Sequence, residues 1–257
     1  MSTWQFVGDS HGDFPSLNLC INDMTESLSK QPDNIVQVGD FGFYPECDER
    51  PKPIDGLMSK RYFIRGNHED HPCLPLKSEV PITPGYGFDD WSYIPDGWFH
   101  PDGIFFVGGA YSIDRAYRMS GPFRFHYIEQ LSVQQEIDVF DKFVENIDKI
   151  KVIVTHDCPL SQYVPLFGDR LRNAKGDSQN TQARLFDHMF DRIKRVGSDV
   201  ARVQWVFGHH HQHASKLIHG VHFKCLVPIH VQFRNDPEHG MVATRAPLSN
   251  CTTKVTL

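Results

Sequence analysis

The sequence predicts an α/β fold, in which short apolar strands alternate with amphipathic helices. Five apolar runs have the length of buried strands and cover residues 4–8, 35–38, 104–107, 151–155 and 203–207, and the shorter pair 63–64 also suits a buried strand. Between these runs, apolar residues recur at steps of three and four, which is typical of helices that cover a sheet. Several of the runs also end in glycine and a polar side chain, the position at which α/β sheets build their sites.

Helix-start signals follow three of the predicted strands. Asp13 with Pro15 is typical of a helix start, and Ser132 with Gln135 fits a capping box. Thr181 is expected to cap a third helix. The faces that we expect these helices to bury are Leu17, Ile21, Met24 and Leu28; Val133, Ile137, Phe140, Val144 and Ile147; and Leu185, Met189, Ile193 and Val196.

Two segments of the chain show no clear periodicity of apolar residues. Residues 44–59 are rich in Pro, Glu and Asp and are expected to form a loop, and 71–103 form a long irregular region. The aromatic residues of this region either belong to the core, which we favour, or line a substrate cleft. They are Trp91, Tyr93, Trp98 and Phe99.

We expect a single domain over residues 1–257, because no repeat, linker or low-complexity block interrupts the chain. Its core is expected over about residues 4–230, and residues 231–257 are expected to add short strands and a tail. The strands expected after the last core strand are 217–218, 221–225, 227–231 and 241–244.

The composition is that of an ordinary soluble globular chain, with 40% apolar and 23% charged residues. No apolar stretch approaches the ~18 residues needed to span a membrane, and we find no signal peptide. The six cysteines show no Cys-x-x-Cys spacing, which indicates reduced thiols in a cytoplasmic protein. The net charge of -6 disfavours non-specific binding of nucleic acid through a basic surface.

Metal-binding side chains follow five of the predicted strands. They are Asp9 and His11, Asp40, Asn67, His156, and His209 with His211. In extended backbone, residues two apart point to the same side, so each Asp-x-His or His-x-His pair suits one ion. Oxygen and imidazole ligands without thiolates favour manganese, our first choice, or Fe, Zn, Co or Ni. Seven ligands suit two ions that share the Asp40 carboxylate.

In this order, Asp-x-His, Gly-Asp, Gly-Asn-His-Glu, Thr-His and Gly-His-x-His resemble the calcineurin-like metallophosphoesterase superfamily over about residues 4–230. The resemblance implies a four-layer αββα sandwich of two mixed β-sheets flanked by helices. It implies that the first ion binds Asp9, His11, Asp40 and His211, and that the second binds Asp40, Asn67, His156 and His209. His68 would protonate the leaving oxygen as a general acid. Because His210 and His213 are close by, the register of the last motif stays open.

The resemblance also implies the reaction, which is two-metal hydrolysis of a phosphate ester with a metal-bridging hydroxide as the nucleophile. Serine/threonine phosphatases of the superfamily carry Gly-Asp-x-x-Asp-Arg-Gly, whereas this chain has Gly39-Asp40-Phe41-Gly42-Phe43-Tyr44, so a phosphoprotein substrate is not expected. The Gly-Asp-Phe, Gly-Asn-His-Glu and His156-Asp157-x-Pro159 segments look more like the lariat-debranching branch, although that branch has a cysteine in place of Asp9. The chain also looks like single-domain phosphoesterases of bacteria and their phages.

We therefore expect a phosphodiester substrate, either a nucleotide or single-stranded nucleic acid. Arg115 and Arg118 follow the strand at 104–107 and either clamp the phosphate or lie in a solvated loop. One alternative is a small-molecule phosphomonoesterase. Another is an inactive metal-binding scaffold for a protein partner, against which the presence of all seven ligands and His68 argues.

Overall fold

Two β-sheets lie face to face at the centre of the structure. The computed structural model of the chain describes residues 2–28, 30–112, 115–120, 126–171, 179–196, 203–229, 232–236, 240–244 and 248–257. The first sheet contains β1 (Thr3–Val7), β2 (Asn34–Gln37), β3 (Lys60–Phe63), β4 (Ser92–Tyr93) and β13 (Thr252–Thr256). The second contains β5 (Trp98–His100), β6 (Ile104–Val107), β7 (Val152–Thr155), β8 (Gln204–Phe207), β9 (Ala214–Ile218) and β10 (Val221–Cys225).

Both sheets are mixed. The first has the order β13–β1–β2–β3–β4, in which β13 is antiparallel to β1 and the other pairs are parallel. The second has the order β5–β6–β7–β8–β10–β9, in which the pairs of β5 with β6 and of β9 with β10 are antiparallel. A separate pair consists of β11 (Gln232–Asp236) and β12 (Gly240–Thr244). The parallel strands bring their carboxyl ends to one edge of each sheet.

Helices cover the outer faces of the two sheets. The first sheet is covered by α1 (Phe14–Glu26), and the second by α3 (Val133–Asn146) and α5 (Thr181–Val196). The shorter helices are α2 (Arg115–Ser120), α4 (Tyr163–Phe167) and α6 (Leu248–Cys251). The layers confirm the predicted fold class of two mixed β-sheets flanked by helices. Among the helices described, none has the length and apolar character needed to cross a membrane.

The space between the sheets is filled by apolar side chains from both of them. Trp4 from β1 and Phe106 from β6 meet there, with ring centroids 6.2 Å apart. In the irregular region, Trp91 and Tyr93 are completely buried, and Trp98 and Phe99 pack against the core clusters. These positions confirm the core interpretation of the four aromatic residues.

Two of the three predicted helix starts are confirmed by their hydrogen bonds, whereas at the third the Asn180 side chain, and not Thr181, accepts the Ala183 backbone N–H at 3.0 Å. The Asp13 side chain accepts a hydrogen bond from the Ser16 backbone N–H at 3.1 Å, and Ser132 and Gln135 form the complete capping box. Such caps satisfy backbone donors that have no partner within the helix. The helices α1 and α5 also bury most of the faces that their periodicity predicts.

The predicted buried face of α3 is wrong in part. Val139 and Phe143 are buried, whereas Val133 and Ile137 are 73% and 49% exposed. The helix carries two apolar stripes, and the sheet selects the one whose Phe143 packs on Phe105, with ring centroids 5.5 Å apart. The other stripe borders a surface cleft of about 510 Å³ between α3 and α5.

The tail expected at the carboxyl end is wrong where the structure describes it. Residues Thr252–Thr256 form β13, which pairs with β1 at the edge of the first sheet. The strand contains one large apolar residue, Val255, which is buried in the core between the sheets. A single buried valine among polar residues gives no apolar run, so the sequence pattern does not reveal the strand.

The strand expected over residues 227–231 is absent at 227–229, and residues 230–231 lie outside the described part of the chain. Pro228 has no N–H to donate to a neighbouring strand, which disfavours a central position in a sheet. The Ile229 N–H instead donates to the Asp9 carbonyl at 3.0 Å. This segment therefore fixes the backbone of a predicted metal ligand.

We predict that Val255→Asp destabilises the protein by about 3 kcal/mol, because it buries an unpaired carboxylate between the sheets. Thr256→Asp is the matched control, since Thr256 is the exposed neighbour on the same strand. Thermal unfolding followed by circular dichroism measures both variants. Equal midpoints for the two variants would contradict the burial of β13.

Candidate metal centre

The turns after five strands bring the predicted ligands together at the edge where the sheets meet. Four of these ligands have left-handed backbone, His11 (φ 49°), Asp40 (φ 53°), His209 (φ 66°) and His211 (φ 52°). Residues other than glycine rarely adopt this conformation, and such strain concentrates at functional sites. The expected extended backbone at the Asp-x-His and His-x-His pairs is therefore wrong, because sharp turns bring the side chains together.

The first group of candidate ligands consists of Asp9, His11, Asp40 and His211, with one ligand atom from each within 4.8 Å of the others. His211 Nε2 lies 3.5 Å from Asp9 Oδ2 and 3.1 Å from His11 Nε2. His11 Nδ1 lies 3.8 Å from Asp40 Oδ2. Two carboxylates and two imidazoles around one point are a common donor set for a divalent cation.

The second group consists of Asp40, His156 and His209, whose ligand atoms also lie within 4.8 Å of one another. His156 Nε2 is 3.3 Å from Asp40 Oδ2, and the rings of His156 and His209 are 5.1 Å apart. The Asn67 backbone N–H donates to Asp40 Oδ1 at 2.9 Å, so Asn67 lies beside this group. Asp40 is thus common to both groups.

Buried polar atoms that lack a hydrogen-bond partner indicate whether these residues are suited to bind cations. Asp9 Oδ1, Asn67 Oδ1 and His156 Nε2 are buried and make no hydrogen bond within the described part of the chain. A buried polar atom without a partner costs about 1–3 kcal/mol. All three belong to the predicted ligands, and cations are the partners that such oxygen and imidazole atoms accept. The residues therefore fit two divalent cations.

Burial shifts the pKa values of the site in directions that matter for cation binding. Burial raises the pKa of Asp9 to about 7, and the nearby Asp40 charge adds to this effect. Burial lowers the pKa of His11 to about 4 and that of His209 to about 3. These imidazoles are neutral at pH 7, so each keeps a lone pair for a cation.

Asp40 and His156 shift each other's pKa in opposite directions. Burial alone would raise the pKa of Asp40, but the charges of His156 and His68 hold it well below its usual range. Burial alone would lower the pKa of His156, but Asp40 and Asp9 raise it to about 10. A proton on His156 and a bound cation would therefore compensate the same buried negative charge.

His68, the predicted general acid, lies at the rim of the first group. Its backbone N–H donates to Asp40 Oδ1 at 2.9 Å, and its ring is 5.4 Å from the His11 ring. The side chain is half-buried. In the described ranges its imidazole forms no ion pair with a carboxylate, although it lies near enough to Asp40 to help lower the pKa of that carboxyl group.

The other two histidines near the last motif, His210 and His213, belong to neither group of candidate ligands. His210 Nε2 bonds Asp157 Oδ1 at 2.8 Å, and its ring packs against Tyr163 with centroids 4.8 Å apart. His213 is exposed and belongs to neither group. The structure thus brings His209 and His211 to the two groups, in the register that the resemblance implies.

Glu69 is a residue of the site that the sequence reasoning missed. It is buried, and its carboxylate accepts hydrogen bonds from Phe41 N at 2.6 Å and from Gly66 N at 2.6 Å. Burial and the Asp40 charge raise its pKa to about 8. Glu69 thus joins the turn that carries Asp40 to the turn that carries Asn67. Its position in Gly-Asn-His-Glu is the one signal that pointed to it.

The two predicted substrate contacts occupy different environments. The Arg115 guanidinium lies over the ring of Tyr127, 5.2 Å from its centroid. Arg118 is buried and donates to Ser112 Oγ at 2.7 Å and to the Asn67 carbonyl at 3.3 Å. Arg118 is therefore bound to the protein beside a candidate ligand, and a role for either arginine in substrate binding remains a prediction.

Two glycines allow the backbone to approach the carboxylates. A Cβ atom at Gly66 would lie 2.1 Å from Asp40 Oδ1, and one at Gly208 would lie 2.0 Å from Asp9 Oδ1. Neither glycine has a positive φ, so the constraint is space rather than backbone conformation. The turns around the site close only because these positions lack side chains.

Comparisons with known proteins identify relatives at the level of the family. The family described as calcineurin-like phosphoesterase matches residues 6–213. No curated protein matches the chain significantly.

Two solved structures are similar at 14% identity each. One is a candidate 5'-nucleotidase from Staphylococcus aureus in complex with alpha-ketoglutarate, aligned over 95% of this chain and 52% of that one, with a TM-score of 0.42. This chain thus spans about half of that protein's length. The other is phosphopantetheinyl hydrolase from Mycobacterium tuberculosis, aligned over 89% and 91% of the two chains, with a TM-score of 0.35.

We predict that Gly66→Ala weakens Mn²⁺ binding by about tenfold or more, because the new methyl group displaces the Asp40 carboxylate. Gly56→Ala is the control for backbone strain alone, since a Cβ there meets no atom within 4 Å but Gly56 has a positive φ of 72°. Isothermal titration calorimetry measures both affinities, and circular dichroism checks folding. Unchanged affinity in folded Gly66→Ala would contradict the close approach.

Proposed function

The chain belongs to the calcineurin-like phosphoesterase family, and we propose that it hydrolyses a phosphodiester of a nucleotide or of single-stranded nucleic acid with two divalent cations. Metal-dependent hydrolysis of a phosphate ester follows from membership of the family. The choice of a diester, the number of ions and the individual ligands are the proposal.

The observation that carries the proposal is the pair of ligand groups that share Asp40. The first group supplies Asp9, His11 and His211, and the second supplies His156 and His209, with Asn67 beside it. Each group alone has the donors for one ion, and a shared carboxylate holds two ions within reach of one phosphate. Because the donors are oxygens and imidazole nitrogens, manganese is the ion we propose.

Bound ions would supply Lewis-acid stabilisation of the phosphate charge and lower the pKa of the attacking water. The chain's own task is to hold the phosphate at the edge where the sheets meet and to deliver a proton. We assign that proton transfer to His68, because its half-buried ring borders the first group, 5.4 Å from the His11 ring. An imidazole that protonates the leaving oxygen acts as a general acid.

The residues around the site favour a nucleotide over a phosphoprotein as the substrate. After Asp40 the chain carries Phe41 and Phe43, which are completely buried, so this turn offers no charged side chain to a phosphoprotein. Tyr111 immediately precedes Ser112, which bonds Asn67, and Arg115 lies between Tyr111 and Tyr127. Tyr111 is buried, whereas the Tyr127 ring is 69% exposed and is therefore suited to stack on a base.

We predict that the purified protein with Mn²⁺ hydrolyses bis-p-nitrophenyl phosphate faster than p-nitrophenyl phosphate, because the proposed substrate is a diester. The same assay on cyclic dinucleotides, single-stranded RNA, single-stranded DNA and mononucleotides then ranks the natural candidates. EDTA and the Asp40→Asn variant are the controls, and both are expected to abolish turnover.

Faster hydrolysis of the monoester would favour a small-molecule phosphomonoesterase. No hydrolysis of either ester with Mn, Fe, Zn, Co or Ni would contradict the proposed activity.

We predict that His68→Ala retains its metal ions but loses about 100-fold or more in kcat on esters with poor leaving groups, because a general acid contributes that much. On p-nitrophenyl esters the loss should be smaller, since p-nitrophenolate leaves without a proton. Metal content, measured by mass spectrometry, distinguishes a role of His68 in proton transfer from a role in metal binding. Loss of metal in His68→Ala, or an equal loss of rate on both kinds of ester, would contradict the assignment.

A further inference from the structure

The Asn67 carboxamide has an oxygen, Oδ1, and a nitrogen, Nδ2, and only one of its two orientations directs the oxygen towards the second group of ligands. Its Oδ1 is buried without a hydrogen bond inside the described chain, and its Nδ2 donates to Ser112 Oγ at 2.9 Å. A carboxamide can rotate by 180° with little change in shape, so its hydrogen bonds decide which end faces the ions. A rotated Asn67 would present N–H groups to a cation, and these cannot bind one.

Ser112 is surrounded so that it can only accept a hydrogen bond from Asn67. Its hydroxyl donates to Glu129 Oε2 at 2.7 Å, which uses its single proton. Its oxygen also accepts a hydrogen bond from Arg118 at 2.7 Å. The remaining lone pair of Ser112 Oγ faces Asn67 Nδ2, so the rotated amide would place two acceptors against each other.

Glu129 in turn is held in one orientation. Its Oε1 accepts the Ser112 backbone N–H at 3.0 Å, and its Oε2 lies 3.9 Å from the Arg118 guanidinium. Arg65 donates to the Glu129 carbonyl at 2.9 Å, and Glu129 is 1% exposed. A buried network in which every member has its partners fixes a single arrangement.

We propose that Ser112 and Glu129 are positioning residues that set the orientation of the Asn67 amide and thereby create the second metal site. This inference rests on the proposed function, because it assumes that Asn67 Oδ1 binds an ion of that site. It adds two residues that are not among the candidate ligands, one of them 62 positions from Asn67 in the sequence.

The experiment compares metal binding in variants that change the polarity of the network. In Glu129→Gln, the new amide donates to Ser112 Oγ, so the serine hydroxyl turns its proton towards Asn67 and favours the rotated carboxamide. Ser112→Ala removes the partner of Nδ2 altogether. Ser112→Thr keeps the hydroxyl, and Glu145→Gln makes the same chemical change at an exposed position on α3.

Chelator-treated protein is titrated with Mn²⁺ by calorimetry, and bound metal is counted after equilibrium dialysis. Wild type and Glu145→Gln are expected to bind two ions per chain. Ser112→Ala and Glu129→Gln are expected to bind one ion normally and the other about 10–100-fold more weakly, as for other residues that orient metal ligands. Ser112→Thr should restore most of the lost affinity, which a purely structural defect would not show.

The outcomes separate this inference from the proposed function. Two ions bound with wild-type affinity by Ser112→Ala and Glu129→Gln would overturn the positioning role and leave the two-metal site intact. Equal weakening of both ions would overturn it as well, because the network contacts one ligand of the second group. Wild-type protein that binds fewer than two ions would overturn the proposed function and this inference together.

Discussion

The structure depends on the burial of two carboxylates side by side where the sheets meet. Asp9 and Asp40 are 0% and 1% exposed, and like charges at a short distance inside a protein repel strongly. Backbone N–H groups offset part of this cost, from His209 to Asp9 and from Asn67 and His68 to Asp40. The rest is offset by a proton on Asp9, whose pKa is raised to about 7, by the imidazolium of His156, or by cations in its place. A pair of carboxylates in this position therefore favours the binding of cations.

The local backbone follows from the same constraint. For N–H groups to reach the buried carboxylates, the turns after the strands must pass within a few ångströms of them, and this is where Gly66 and Gly208 leave room. Asp40 itself has a left-handed backbone (φ 53°), a strain that its hydrogen bonds to neighbouring turns offset. Glu69 then joins two of these turns from behind. The glycines and the strained residues are thus consequences of the buried charge.

The metal ligands that directly follow apolar strands could be predicted from the sequence. Residues whose role depends on contacts between irregular segments could not. Asp40 and His156 follow apolar strands, so the convergence of carboxyl ends places them together. Glu129 lies in a short turn with no periodic pattern, and nothing in its neighbourhood relates it to Asn67. The edge strand β13 was missed for a related reason, since one buried valine carries no detectable period. Tertiary contacts of single residues leave no trace in a hydropathy pattern.

The contacts of Arg118 also bear on how an anionic substrate is bound. The chain has a net charge of -6, and in its described contacts the Arg118 guanidinium is engaged by Ser112 and by the Asn67 carbonyl. That arginine therefore stabilises the ligand network, and its charge partly balances Glu129. Of the two arginines expected near the phosphate, Arg115 is the one that lies over an exposed aromatic ring, that of Tyr127. In the proposed reaction, positive potential at the phosphate would then come mainly from the ions, and substrate affinity and catalysis would depend on the same buried carboxylates.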